Sequence, residues 1–323
     1  MKLARYHAGG TVCIEEEAIP SCPPGGLLIR TEACGLCSGE LMDWYLDRKA
    51  PHVLGHEVAG TVIESESPDF PTGSRVFAHH HAPCGTCRHC KSGHPVHCAV
   101  WKRTKLLPGG MSEYFGVPSE NLADTIRIDS LRSRDAALIE PLACVAKSIR
   151  RARITPQDSV AVLGLGVMGL LHMLILRDQA TGYDIRESRR DWARERNLRV
   201  GEGAPAQGEY DVVIVCPGSA NALDQAFEMI APGGRILLFS PLPPAQLYQV
   251  DLDKQYFKDF ELIASYSCGP EDTALSTKWL KEGKVVAEDV VSHFVKLTDL
   301  PAAYKEMKDM NILKVMVEFP PAD

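Results

Sequence analysis

The sequence has little that would tie it to nucleic acid or to a membrane. Its 323 residues carry 35 Lys and Arg against 42 Asp and Glu, a formal charge of -7, so the basic face that a nucleic acid or an anionic bilayer needs is missing. Low-complexity tracts and internal repeats are also absent. The longest apolar candidate, VAVLGLGVMGLLHMLIL over 160–176, falls short of a membrane span, contains a histidine and three glycines, and reads as buried. The opening MKLARYHAGG has no apolar core of signal-peptide length, so a cytoplasmic chain is expected. With 45% apolar and 24% charged residues, the composition is that of a globular protein long enough for about two domains.

Cysteine is present, but not as a disulfide framework. An odd number, eleven, in a chain of this size argues against one. Four of them fall in CGTCRHCKSGHPVHC, residues 84–98, at the spacing C-x2-C-x2-C-x7-C, and no thioredoxin-like unit surrounds them. Cys84, Cys87, Cys90 and Cys98 suit a closed four-thiolate zinc site that pins a surface lobe. A second, dispersed set comprises Cys37 in EACGLCSGEL, His56 and Glu57 in VLGHEVAG, and Glu140 in IEPLAC. Catalytic zinc takes three N, S or O ligands and keeps one position open. Singly, each of these residues is as readily structural.

Residues 1 to about 130 carry short β-type runs such as GLLIRTEAC and VAGTVIES, separated by Pro, Gly and Ser. From about 158 the texture changes. SVAVLGLG, ATGYD, DVVIVC and GGRILLFS read as strands alternating with the helical VMGLLHMLILRDQA, ESRRDWARER and ANALDQAFEMIA, which predicts a parallel sheet covered on both faces. Between the first strand and helix lies GLGVMG, residues 164–169. Gly164 would permit the tight turn, Gly166 the close approach of a pyrophosphate, and Gly169 the packing of helix on strand. Val167 and Met168 open the helix whose N–H groups would meet the phosphates. Asp184, twenty residues after Gly164, is placed to accept from an adenosine ribose hydroxyl, which favours NAD over NADP. Arg186, Arg189 and Arg190 could instead greet a 2′-phosphate, or form a solvated helix face.

In order along the chain, CGLC, GHE, the tetracysteine lobe, EPLAC, GLGVMG and PGGRILL resemble the zinc-containing medium-chain alcohol and polyol dehydrogenases, in the sorbitol- and threonine-dehydrogenase-like branch. The resemblance implies an α/β chain: a GroES-like β-rich catalytic domain with its structural zinc lobe (1–135), a Rossmann doubly wound parallel sheet (136–284), and a C-terminal return to the catalytic domain (285–323). It implies two Zn²⁺ per chain, the tetracysteine one structural and the other held by Cys37, His56 and either Glu57 or Glu140. Hydride would pass from a secondary alcohol of a polyol, sugar or related polar metabolite to NAD, with zinc as the Lewis acid on the alcohol oxygen. The alternatives are an amino-alcohol or hydroxy-acid dehydrogenase of the threonine type, or a non-catalytic zinc- and nucleotide-binding sensor. A homodimer or homotetramer is the family's habit.

The sequence departs from the family where proton relay is concerned. After Cys37 the family places a hydroxyl residue and often a histidine; here those positions are Gly39 and Met42. Ser38 or Glu40 is the expected substitute, or Glu57, or a group on the substrate itself. His79, His80 and His81 are expected to be exposed imidazoles at a strand end, with a role toward substrate as the alternative. Trp44 and Tyr45 are expected either in the substrate pocket or in the core. Between ESRRDWARERNLRV and YDVVIVC lies only GEGAPAQGE, 201–209, too short for the helix that normally sits there.

Overall fold

A computed structural model describes residues 1–202 and 207–320. The chain divides into two compact units, one of Met1–Ala143 with Cys268–Asp323 and one of Cys144–Ser267. The seams thus lie at 143/144 and 267/268, against the 135/136 and 284/285 expected from sequence. The first seam falls inside helix Ile139–Arg151. The second falls just before helix Pro270–Lys281, whose Ser276 hydroxyl bonds the Ile139 carbonyl at 2.9 Å and so holds this helix in the first unit.

In the first unit, strand Leu27–Gly35 is the organising element. It pairs antiparallel with Glu57–Ser65, with Val315–Glu318 and with Tyr114–Val117. Its burial is nearly continuous because it is covered along both faces. Tyr6, Leu27, Ile29, Leu36, Val58 and Phe115 form the middle of the core, all fully buried. Leu300, Tyr304, Val315 and Val317 belong to the same cluster, so the last stretch of chain completes a core begun by the first. Each large apolar side chain buried there contributes about 1.5–3 kcal/mol.

The second unit is a five-stranded parallel sheet in the order Ala180–Tyr183, Val160–Leu163, Tyr210–Val215, Ile230–Leu238, Glu261–Ala264. The strand Val160–Leu163 has no exposed residue, as the unbroken VAVL run requires of a central strand. Helices Val167–Leu176, Glu187–Arg194 and Ala220–Met229 form the crossovers, as the alternating pattern predicts. Among the described residues beyond Ala180–Tyr183, Gly182 and Val200 form an isolated parallel bridge. The short connection that follows lies partly outside the described residues, at 203–206. Among the described residues, no helix is long and apolar enough to cross a membrane.

Tyr304 shows how the C-terminal segment reaches the site. It is buried in helix Leu300–Lys308, and its hydroxyl donates to the Glu40 carbonyl at 2.9 Å. Tyr304→Phe leaves that buried oxygen without its donor, and a loss of about 1–3 kcal/mol is expected in denaturant unfolding. A loss within experimental error would mean that the bond is not part of the support.

Candidate active site and metal centres

Cys37 ends the turn after strand Leu27–Gly35 and caps the 3-10 helix Ser38–Leu41. Its sulfur accepts from the Gly39 N–H at 3.4 Å. Glu40, expected as a proton relay, is buried and serves as a brace. One carboxylate oxygen accepts from Gly55 N–H at 2.7 Å and lies 3.3 Å from His56 Nδ1; the other accepts from Cys37 N–H at 3.3 Å. A single side chain therefore ties the Cys37 turn to the His56 turn, and its bond to Nδ1 leaves the other imidazole nitrogen for a ligand. His56 is also hydrogen-bonded to Cys37. Burial works to raise the Glu40 pKa, but the neighbouring His56 and the Gly55 N–H outweigh it, and the carboxyl lies below its ordinary range. Ser38, the other expected relay, is exposed at the start of the helix.

Glu57 opens strand Glu57–Ser65 directly opposite Gly35. A Cβ at Gly35 would stand 2.1 Å from a Glu57 carboxylate oxygen, so glycine is what admits the side chain. From the other flank of Gly35 comes Lys314, next to strand Val315–Glu318. Lys314 Nζ donates to that Glu57 oxygen at 2.5 Å and to the Leu36 carbonyl at 3.2 Å, and both side chains are almost wholly buried. Burial pushes the Glu57 carboxyl up; Lys314 opposes the shift and Glu140 adds to it. Sequence reasoning missed Lys314. Its one signal was a lysine interrupting the apolar run ILKVMV.

Glu140, buried in the first turn of helix Ile139–Arg151, acts electrostatically on both Cys37 and Glu57, but among the described residues no three of Cys37, His56, Glu57 and Glu140 bring their ligand atoms within 4.8 Å of one another. Among the described residues, two groups of ligand atoms lie mutually within 4.8 Å: Cys84, Cys87, Cys90 and Cys98, and His79, Glu140 and Cys268. The three histidines are not exposed, contrary to expectation. His79 is fully buried and its Nδ1 lies 2.6 Å from Asp124; His80 and His81 are partly buried, with the His80 ring 4.7 Å from that of His56 and the His81 ring 4.0 Å from that of Trp101. The run is enclosed because strand Arg75–Ala78 carries it inward, not because its own pattern is apolar. Trp44 and Tyr45 lie on the surface and not in the core, with Lys49 Nζ 3.9 Å over the Tyr45 ring.

The tetracysteine lobe fits zinc. The Cys84–Cys90 and Cys87–Cys90 sulfurs are 4.0 and 3.5 Å apart, where tetrahedral Zn–S bonds of about 2.3 Å require roughly 3.8 Å. The Thr86 hydroxyl, with the N–H groups of Thr86 and Cys87, draws the Cys84 thiol down to about 5.

The glycine loop also fits its expected guest. Gly164 has φ +88°, and a Cβ at Gly169 would stand 1.8 Å from the Gly164 carbonyl oxygen. A Cβ at Gly166 would meet nothing within 4 Å, which leaves that face of the loop open at the N-terminus of helix Val167–Leu176. Val167 is buried, and the Met168 carbonyl accepts from His172 Nδ1. Asp184 accepts from Leu165 N–H at 2.7 Å and from Arg186 N–H at 2.8 Å, so the carboxylate also shapes the loop. Arg190 donates to the Asp184 carbonyl. Burial lowers the Arg189 pKa against the opposing pull of Asp184.

Residues 23–127 match the model of the alcohol dehydrogenase GroES-like domain. The chain is 31% identical to D-altritol 5-dehydrogenase of Agrobacterium fabrum, an alignment that covers 98% of each chain. The chain belongs to the zinc-containing medium-chain alcohol and polyol dehydrogenases. L-galactonate-5-dehydrogenase of Escherichia coli is 26% identical over 94% of this chain and 95% of its own. A zinc-binding dehydrogenase candidate of Sinorhizobium meliloti, solved with NADP bound, superposes with a TM-score of 0.86 at 25% identity, covering 98% of this chain and 99% of its own.

For this member of the dehydrogenase family, the Glu57–Lys314 pair yields a direct prediction. Lys314→Met strands a buried carboxylate, and a loss of about 3–5 kcal/mol is expected in denaturant unfolding. Adding Glu57→Gln should recover a large part of it. A single variant as stable as the parent would remove the pair from the account.

Proposed function

We propose that the chain is a zinc-dependent, NAD-linked dehydrogenase that takes hydride from a secondary alcohol of a polyol or sugar acid. The observation that carries this reading is the buried brace in which Glu40 joins the Cys37 and His56 turns. Cys37, His56 and one carboxylate, Glu57 or Glu140, would hold the catalytic zinc, and Cys84, Cys87, Cys90 and Cys98 the structural one. When bound, the catalytic ion supplies Lewis acidity that lowers the pKa of an alcohol, and the nicotinamide supplies the hydride acceptor.

The chain's own residues do the rest. Glu40 sets the His56 tautomer and ring orientation through Nδ1. Lys314 fixes Glu57 and offsets its charge. Gly39 and Met42 cannot carry a proton, so the exposed Ser38 hydroxyl beside Cys37 is the chain's candidate for passing the alcohol proton to water. On the coenzyme side, Gly166 admits the pyrophosphate and Asp184 takes the ribose hydroxyls. Ile185, 92% exposed next to Asp184, offers an apolar surface of the kind an adenine ring covers. The polar-substrate reading follows the two relatives that oxidise a sugar alcohol and a sugar acid at C5 by their names. The exposed Leu262 on edge strand Glu261–Ala264, with Tyr256 and Phe257 close in sequence, suits a homodimer joined through that edge.

The test is NADH formation across a panel of polyols, sugar acids and amino alcohols. Turnover is expected with a polyhydroxylated substrate, falling by at least about 100-fold in Cys37→Ser, since a zinc ligand is lost. A zinc-loaded chain that turns over no alcohol with either coenzyme would leave the sensor reading in its place. Asp184→Ala should lower the NAD to NADP preference by about tenfold, the worth of one good hydrogen bond. An unchanged ratio would assign the choice to Arg186, Arg189 and Arg190.

A further inference from the structure

Beside the candidate catalytic and structural sites lies a third convergence of metal-ligating side chains, which shares Glu140 with the candidate catalytic set. Strand Arg75–Ala78 delivers His79, the first turn of helix Ile139–Arg151 delivers Glu140, and the turn before helix Pro270–Lys281 delivers Cys268. All three are buried, His79 and Cys268 completely, and their ligand atoms lie within 4.8 Å of one another.

Two observations separate this cluster from ordinary packing. The first is orientation. His79 Nδ1 lies 2.6 Å from the buried Asp124 carboxylate, and its Nε2 faces Cys268 Sγ at 3.7 Å. A carboxylate on one ring nitrogen and a ligand position on the other is how proteins present histidine to a metal. Zn–S of about 2.3 Å and Zn–N of about 2.0–2.1 Å at a tetrahedral angle set N and S roughly 3.6 Å apart, which matches.

The second observation is the scaffold. Asp124 is itself held by the Thr273 hydroxyl at 2.5 Å, and Ser276 bonds the Ile139 carbonyl at 2.9 Å. Both hydroxyls come from the helix that follows Cys268, so one element fixes the thiol against the imidazole on one side and the glutamate on the other. Asn121 Nδ2 holds the His79 carbonyl at 2.9 Å. Asp124, Glu140 and Cys268 can each become an anion and His79 is the one basic member, so the set suits a dication.

We propose that His79 Nε2, Cys268 Sγ and the Glu140 carboxylate form an additional buried position for a divalent, thiolate-tolerant metal such as Zn²⁺, with Asp124 as the positioning residue. Glu140 is the carboxylate this position shares with the candidate catalytic set, so occupation here draws Glu140 away from Cys37 and His56. The position would serve as a reserve or regulatory site beside the catalytic one.

The test is crystallography of the full chain grown with excess Zn²⁺, with anomalous difference maps at the zinc edge. A peak between His79, Glu140 and Cys268 is expected, separate from peaks at the tetracysteine lobe and at Cys37 and His56. It should vanish in Cys268→Ser while the tetracysteine peak persists. In solution, Asp124→Asn should weaken zinc binding at this position about 10–100-fold by competition with a chromogenic chelator. Peaks at the other two positions and none here, even at excess zinc, would overturn the proposal and leave His79 and Cys268 as a buried hydrogen-bonded pair. A peak here and none at Cys37 and His56 would keep this position and overturn the catalytic-zinc assignment instead.

Discussion

The first unit depends on an ion pair closed over a glycine. Glu57 and Lys314 are 257 residues apart in sequence and meet at 2.5 Å with almost no exposure. They approach from the two strands that flank Leu27–Gly35, and Gly35 is the position that leaves room for the carboxylate. Two charges removed from water this completely are stable only together. The pair therefore makes the last strand of the chain a condition for the geometry around Cys37. That gives a physical reason for the C-terminal segment to belong to the first unit and not to the parallel sheet that precedes it.

From this base the candidate site is built by short reach. Glu40 bonds both the Cys37 turn and the Gly55–His56 turn, and Tyr304 holds the backbone of Glu40 from helix Leu300–Lys308. A residue that looked like a spare proton carrier is buried as a strut, and burial removes it from the solvent that a relay must reach. The loss of a hydroxyl at Gly39 and of an imidazole at Met42 concerns proton exit, while the brace between the Cys37 and His56 turns is in place.

Legibility followed sequence distance. GLGVMG could be read directly, because a tight turn, an open face and a helix–strand contact are all decided within six residues, and the structure has each of them. The tetracysteine lobe was equally plain, since fifteen residues carry all four of its cysteines. The alternation of strands and helices predicted the parallel sheet. Lys314 and Cys268 were not legible. Their partners Glu57 and His79 lie 257 and 189 residues away, and a lone lysine or cysteine carries no periodic signal. The histidine run misled for a related reason: polar residues in sequence suggest a surface, and here the strand that bears them turns into the interior, where Asp124 satisfies the first.

The central claim is direct transfer of hydride from a carbinol carbon to the coenzyme by a site built on Cys37 and His56. The most direct measurement is the isotope content of the reduced coenzyme made from a polyol deuterated at its carbinol carbons. One deuterium per reduced nicotinamide is the predicted result. Reduced coenzyme without deuterium would mean that hydrogen reaches it by another route, and would contradict the account.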